Sequence, residues 1–462
     1  MMLHRTLALG AVLVLTVAAC ASDEASPLSG EPLANVPTPT ESAPRTTPAI
    51  AAATTIPTTA APTTTAAPTT IPATTIPATT IPRSTAVEKV LVLTDEFAGY
   101  AISAAVDPAG RLVAAYWSPD DEALKVVRCV DTECAQPPET FTLGPFPATT
   151  IEGSEEGAAF VDMVLQSNGA PIVIAQGPFL SNMIYVCGDP DCTTVESADF
   201  TGAGHVDWPY LALASDGLPR IAYQGAGTME LAICGDLVCS ADLRQIITID
   251  DNTYGGEPSM RIDPDGRILI GFENMSPELG EARVAVCADD TCSAGPTMLT
   301  FDNAVGPLTT DGTDGAFWVW YRTGPAVIEG DLDASQALAA WDLMVAACDN
   351  TGCTEATEVE VGPGMLKNWG HHVQVVSLPD GRAVAAVSDS CAQMLELTIL
   401  DPATAKMGDR LGAHPASGSG STSGFDVVET EGGVTAVFTN GNLYAVVFGL
   451  GGTTAPGVEA AC

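Results

Sequence analysis

Ten of the 13 cysteines in this chain fall into five Cys-x4-Cys pairs: Cys129/Cys134, Cys187/Cys192, Cys234/Cys239, Cys287/Cys292 and Cys348/Cys353. Each pair occupies the same place in a repeating unit. One unit reads WPYLALASDGLPRIAYQGAGTMELAICGDLVCSADLRQIITIDD, and the next reads EPSMRIDPDGRILIGFENMSPELGEARVAVCADDTCSAGPTMLTFD. Within a unit an apolar alternating run leads to an Asp-Gly turn and a second run. A variable loop, a third run, the Cys-x4-Cys turn and a weaker fourth run follow. Alternation of period two with β-branched residues marks strands, and the glycine turns mark hairpins. Four short antiparallel strands in ~50 residues is the size of one propeller blade.

Turn glycines recur at Gly110, Gly169, Gly217, Gly266, Gly315, Gly381 and Gly432, a loose period with insertions. The expected fold is therefore all-β, a β-propeller of about seven four-stranded blades over residues 87–462, with six or eight blades as the alternatives. The last unit supplies only three strands, whereas EKVLVLT (Glu88 to Thr94) precedes the first turn as a spare one. Pairing Val90–Leu93 as the outer strand of the last blade would close the ring and remove its open edges.

A four-residue loop places its flanking cysteines opposite each other across a hairpin, at a separation that suits a disulfide. Zinc would need four soft ligands converging on one ion, and each pair stands alone with no histidine at ligand spacing. The pairs are therefore expected to be disulfides, which implies an oxidising compartment. Cys391 and Cys462 remain and pair by elimination.

The first 86 residues have a different logic. His4 and Arg5 precede an apolar run from Leu7 to Ala19, too short to span a bilayer but suited to a secretory signal. The run ends Val17-Ala18-Ala19-Cys20, which resembles the bacterial lipobox. That resemblance implies cleavage after residue 19 and a lipid on Cys20, the alternative being an ordinary signal peptide with a chance cysteine. Residues 20–86 are rich in Thr and Pro and read as a disordered linker, because frequent proline and scarce large apolar groups prevent a packed core. The expectation is an exported chain anchored by Cys20 to the outer side of the bacterial cell membrane, its linker holding a folded head away from the anchor.

The formal net charge is −40, and almost all of it lies beyond residue 86. A surface of that sign repels nucleic acid and favours solubility, so no nucleic-acid partner is expected and the head reads as a monomer. No cofactor is expected. Calcium is the one ion considered, at the Asp-rich turns Asp263-Pro264-Asp265-Gly266 and Asp311–Gly315, which fit ordinary turn chemistry better than an EF-hand loop.

In a four-stranded blade the first-to-second and third-to-fourth turns share one face. The Asp-Gly and Cys-x4-Cys turns therefore lie together. The opposite face carries the second-to-third loops and the blade-to-blade connections, where function is commonly placed. Those segments bring His205, Asp207, Trp208, Tyr254, Glu257, Arg322, Trp369 and His371 to that face. Aromatic rings among carboxylates suit a sugar or a cationic ligand. The bland alternative is that Trp208 and Trp369 merely pack between blades. No metal site is expected there, since adjacent His371 and His372 point apart in extended chain.

The repeats resemble those of extracellular bacterial β-propellers of the form L-x-x-x-DG-x-P-x-I-A-Y … L-x-x-A-x-C-x-x-x-x-C. The resemblance covers nearly all of 87–462. It implies the architecture and leaves the activity open, because propellers host binding modules, hydrolases and lyases alike. The sialidase-like propellers carry S-x-D-x-G-x-x-W boxes, which Ser215-Asp216-Gly217-Leu218-Pro219 does not match. No catalytic residue is assigned. The expected function is a cell-surface binding or scaffold module for a carbohydrate or protein. A glycoside hydrolase using carboxylates of that face is the alternative.

Overall fold

The chain divides into two units, Met1–Pro77 and Ala78–Cys462. The computed structural model describes residues of the second unit, from 89 to 449. The segments 146–159, 178–180, 201–203, 254–257, 277–278, 312–316, 324–339, 349–355, 368–372, 390–393, 403–405, 416–423 and 431–432 lie outside the described residues, as do positions 95, 97, 100, 252, 303 and 441.

The described residues form seven four-stranded antiparallel sheets. Blade 1 holds β2 (Ile102–Val106), β3 (Leu112–Ser118), β4 (Ala123–Arg128) and β5 (Glu139–Pro145). Blade 2 holds β6 (Phe160–Leu165), β7 (Pro171–Gln176), β8 (Asn182–Cys187) and β9 (Val195–Asp199). Blade 3 runs through β10 (Asp207–Leu213), β11 (Pro219–Gln224), β12 (Met229–Cys234) and β13 (Arg244–Asp250). Blade 4 comprises β14 (Ser259–Ile262), β15 (Ile268–Ser276), β16 (Leu279–Val286) and β17 (Thr297–Asp302). Blade 5 comprises β18 (Ala304–Asp311), β19 (Phe317–Thr323), β20 (Ala340–Cys348) and β21 (Ala356–Lys367). Blade 6 follows with β22 (Val373–Ser377), β23 (Ala383–Asp389), β24 (Met394–Asp401) and β25 (Lys406–Pro415). Blade 7 is made of β26 (Phe425–Thr430), β27 (Gly433–Asn440) and β28 (Asn442–Gly449), completed by β1 (Lys89–Thr94).

The expected closure is present. β1 pairs antiparallel with β28, from Lys89 opposite Val447 to Thr94 opposite Leu443. Leu93 is buried while Val90 and Val92 stay exposed, so the strand alternates as a half-covered edge should. The strand also fixes where the chain enters the ring. Lys89 donates its ammonium to the carbonyl of Glu133, inside the Cys129–Cys134 loop. The chain therefore arrives at the disulfide rim.

Each sheet buries both faces, and period-two alternation divides its residues between two neighbours. In β3, Val113 and Ala115 pack toward blade 2 while Ala114 and Tyr116 pack toward blade 7. In β7, Val173 and Ala175 face blade 1 while Ile172 and Ile174 face blade 3. Each pair of successive blades shares one such apolar cluster, including the closing pair of blades 7 and 1.

The turns follow one chemistry. Gly110, Gly169, Gly217, Gly266 and Gly381 all hold φ between 77° and 85°, the left-handed region that a side chain resists. The disulfide loops share another rule. Four bridges are formed, Cys129–Cys134, Cys187–Cys192, Cys234–Cys239 and Cys287–Cys292, with Cα separations of 4.7–4.9 Å. The fifth pair's Cys348 is also disulfide-bonded. Cys353, Cys391 and Cys462 lie outside the described residues. The second residue after the first cysteine of each of these four pairs is an aspartate: Asp131, Asp189, Asp236 or Asp289. Its carbonyl accepts the N–H of the second cysteine, and its carboxylate caps N–H groups further along the loop. The second cysteine is left-handed each time, with φ of 47–52°. The loop is thus a side-chain-capped turn that the S–S bond pins.

These loops also grip the preceding blade. Arg128 of blade 1 donates to the carbonyl of Pro190 (2.6 Å) and to the Asp191 carboxylate in the blade 2 loop. Arg220 of blade 3 donates to the carbonyl of Asp290 (2.7 Å) in the blade 4 loop. Lys89 makes the corresponding contact from blade 7 to blade 1.

If β1 closes the ring, Leu93→Ala should cost about 2–5 kcal/mol in equilibrium unfolding. Val92→Ala, on the exposed face of the same strand, should stay within about 0.5 kcal/mol. Equal effects of the two would contradict the closure.

Candidate functional site

The innermost strands of all seven blades converge on a pocket of about 230 Å³. One position faces it in every blade, seven residues before the turn glycine in the first six blades and six before it in the last. Ser103, Asp162 and Tyr210 hold it in the first three blades. Ser259, Leu308 and Gln374 hold it in the next three, and Asp426 in the last. In five blades the residue is among the first three of its strand, toward the end where the chain arrives from the previous blade, while Tyr210 and Leu308 sit mid-strand. The pocket therefore belongs to the connection face, opposite the disulfide rim.

An innermost strand pairs on one side only, so its other backbone N–H groups point at the axis and need acceptors. Side chains of this ring supply them across blade boundaries. Asp162 accepts from Leu211 N of blade 3 at 2.6 Å and from Ser103 Oγ of blade 1 at 3.2 Å. Ser103 Oγ in turn accepts from Met163 N at 3.1 Å. Asp426 accepts from Ala104 N of blade 1 at 2.7 Å, crossing the closing seam. Ser259 Oγ donates to the carbonyl of Pro307 in blade 5 at 2.8 Å. The ring is a belt of polar links between neighbouring innermost strands.

Both aspartates are half-buried at the pocket wall, and each has its affinity for a proton raised. Burial is the largest cause at Asp162. The Leu211 N–H opposes it and the nearby charge of Asp426 adds to it, leaving the pKa at about 7. Burial likewise lifts Asp426 to about 6, against the opposing N–H groups of Ala104 and Val427.

Beside this pocket is an aromatic corner. Phe160 and Tyr210 line it, with ring centroids 4.9 Å apart. Trp208 meets Phe160 edge to face at 5.9 Å. Trp208 has φ of +52° although a proline follows, a position normally confined to extended backbone. The pairing of β10 with β11 slips between Asp207 and Tyr210, so the strain coincides with a bulge. Two buried amides of blade 2 hold the segment. Gln176 accepts from Trp208 N at 3.2 Å and donates to Asp207 Oδ1 at 2.8 Å and to the Val206 carbonyl at 3.1 Å. Asn182 donates to the same carbonyl at 3.1 Å. Trp208 is thereby fixed in place while its ring stays partly exposed.

Of the eight residues expected at this face, four lie among the described residues. His205 is exposed and Asp207 is half-buried, its carboxylate engaged by Gln176. Trp208 lies in the aromatic corner. Arg322 is half-buried and paired with Glu273 at 3.6 Å. Tyr254, Glu257, Trp369 and His371 lie outside the described residues. At the Asp263 turn considered for calcium, the carboxylate is held by Arg267 at 2.5 Å and by the backbone N–H groups of Asp265 and Arg267.

Asp162, Asp426, Phe160 and Tyr210 were not singled out from the sequence. The sequence signal for the two aspartates is an acid inside an apolar run, FVDMVL and FDVVET, a few residues before a turn glycine.

No protein-family model matches the chain, and no curated protein matches it either. Among solved structures, a PL25 ulvan lyase superposes with a TM-score of 0.51 at 9% identity, covering 78% of this chain and 96% of that one. AofleA from Arthrobotrys oligospora gives 0.41 at 10% identity, covering 81% and 95%. NanB sialidase from Streptococcus pneumoniae gives 0.39 at 9%, covering 76% and 68%. At such identities the ulvan lyase likeness shows the propeller fold alone.

The raised carboxyls make a signed prediction. The folded chain holds protons at Asp162 and Asp426 that the unfolded chain releases near pH 4. Stability contributed by these groups therefore falls as pH rises from about 4 to 7 and is level above that. The thermal midpoint should be higher at pH 5 than at pH 8, and Asp162→Asn should shrink the difference. An unchanged difference in the variant would contradict the assignment.

Proposed function

We propose that this chain is an exported, lipid-anchored module that binds carbohydrate at the connection face of its propeller. The observation that carries the proposal is the aromatic corner. A tryptophan held in a strained conformation, half-exposed beside a polar pocket, has the chemistry to stack on the apolar face of a sugar ring while the pocket hydrogen-bonds its hydroxyls. Strain of this kind persists only where the surroundings over-determine it, and Gln176 and Asn182 do so here.

Export and anchoring rest on the sequence: the apolar leader, the lipobox-like Val17–Cys20 and the Thr/Pro-rich segment. The disulfides fit an oxidising compartment. The chain enters the ring at Lys89 on the disulfide rim, and the pocket belongs to the connection face.

A second reading has its own support. Two half-buried carboxyls with raised pKa values face the pocket, and perturbed acids of this kind serve glycoside hydrolysis. Binding is favoured because both carboxyls are committed to backbone N–H groups of neighbouring blades.

A glycan array probed with the mature chain separates the two. The module reading expects saccharide binding that Trp208→Ala weakens by about tenfold or more, a loss of about 1.4 kcal/mol. It expects bound saccharides to be recovered intact. Saccharide cleavage abolished by Asp162→Asn would establish the hydrolase instead.

A further inference from the structure

We infer that the pocket takes the uncharged terminal pyranose of a saccharide chain and rejects acidic sugars. The inference rests on the carbohydrate-binding reading and narrows its ligand. Three observations carry it.

The first is size. At about 230 Å³ the pocket is smaller than the ~300–1,000 Å³ that holds a drug-sized ligand. It has room for one ring and not for a stretch of chain. All seven innermost strands wall it in, so a saccharide enters end-on, with its remaining residues directed outward.

The second is the arrangement of apolar and polar surface. Half-buried Tyr210 and buried Phe160 line one side, and half-buried Trp208 meets Phe160 edge to face beside them. Ser103, Gln374, Asp162 and Asp426 face the same pocket from other blades. A pyranose has the matching asymmetry, with an apolar C–H face and a rim of hydroxyls.

The third is charge. The titratable side chains lining the pocket are Asp162, Asp426 and Tyr210, and no Lys or Arg is among the described lining residues. Arg322 of blade 5 is paired with Glu273. A uronate or sialate carboxylate placed there would meet two half-buried acids and no cation among the described lining residues, on a chain whose net charge is already −40. A hydroxyl or hydroxymethyl group carries no such penalty, and a protonated Asp162 can donate to it.

The test is calorimetric titration of the mature chain with two probe sets. Cellohexaose, mannohexaose and galactohexaose supply neutral termini. Hexagalacturonate and 3′-sialyllactose supply acidic ones. At least one neutral probe should bind, with every acidic probe weaker by roughly tenfold or more, equivalent to 1.4 kcal/mol. Trp208→Ala should abolish the neutral binding, and Trp208→Phe, which keeps a ring, should restore most of it. Wild-type-like thermal unfolding of both variants would show that they are folded. Acidic probes bound as tightly as neutral ones, in a Trp208-dependent way, would overturn the inference and leave the carbohydrate module standing. Binding indifferent to Trp208→Ala would also overturn it, by placing the sugar elsewhere. No binding by any probe would overturn both readings.

Discussion

A four-stranded antiparallel sheet has two unpaired edges, and the propeller must satisfy the one that faces its axis. That requirement explains why polar groups occur in strands that are otherwise apolar. Asp162 and Asp426 are costly to bury, yet each receives backbone N–H groups that have no sheet partner. Ser103 receives the Met163 N–H without charge, and Ser259 donates to the Pro307 carbonyl. The result is a hydrogen-bonded belt inside a ring whose apolar clusters already lie between blades. The belt also lines the pocket, so the groups that hold the innermost strands together are those a ligand would meet.

The two rims divide the labour. At the disulfide rim, short loops are capped by an aspartate, pinned by a bond, and gripped by a cation of the preceding blade, as Arg128 and Arg220 show. At the connection face the chain is less regular: a bulge, a left-handed tryptophan before a proline, and a half-buried Arg322–Glu273 pair. One rim is built from the repeat, and the other departs from it blade by blade. A scaffold that is uniform at one end leaves the other end free to diversify.

The architecture was largely legible in the sequence, because its signals are local. The Cys-x4-Cys spacing, the turn glycines and the alternation of WPYLALASDG-type runs mark the blades. The spare run at Val90–Leu93 marks the closing strand. The site was less legible. Asp162 reads locally as one polar residue in an apolar strand. Its role appears only when Leu211 and Ser103, 49 and 59 residues away, are brought beside it. The sequence Asp207-Trp208-Pro209 reads as extended chain leading into a strand, since proline disfavours what Trp208 adopts. The bulge is imposed by Gln176 and Asn182 of another blade, and no local pattern announces it. His205, chemically suggestive in the sequence, is exposed.

The belt can be examined amide by amide. Leu211 N and Ala104 N belong to innermost strands and find their acceptors on side chains of other blades. Native-state hydrogen exchange of these two amides measures the claim directly. Protection comparable to that of ladder amides in the same strands is expected, with Leu211 losing it selectively in Asp162→Ala. Exchange at the rate of exposed loop amides in the wild-type chain would show that the innermost strands are not joined in this way.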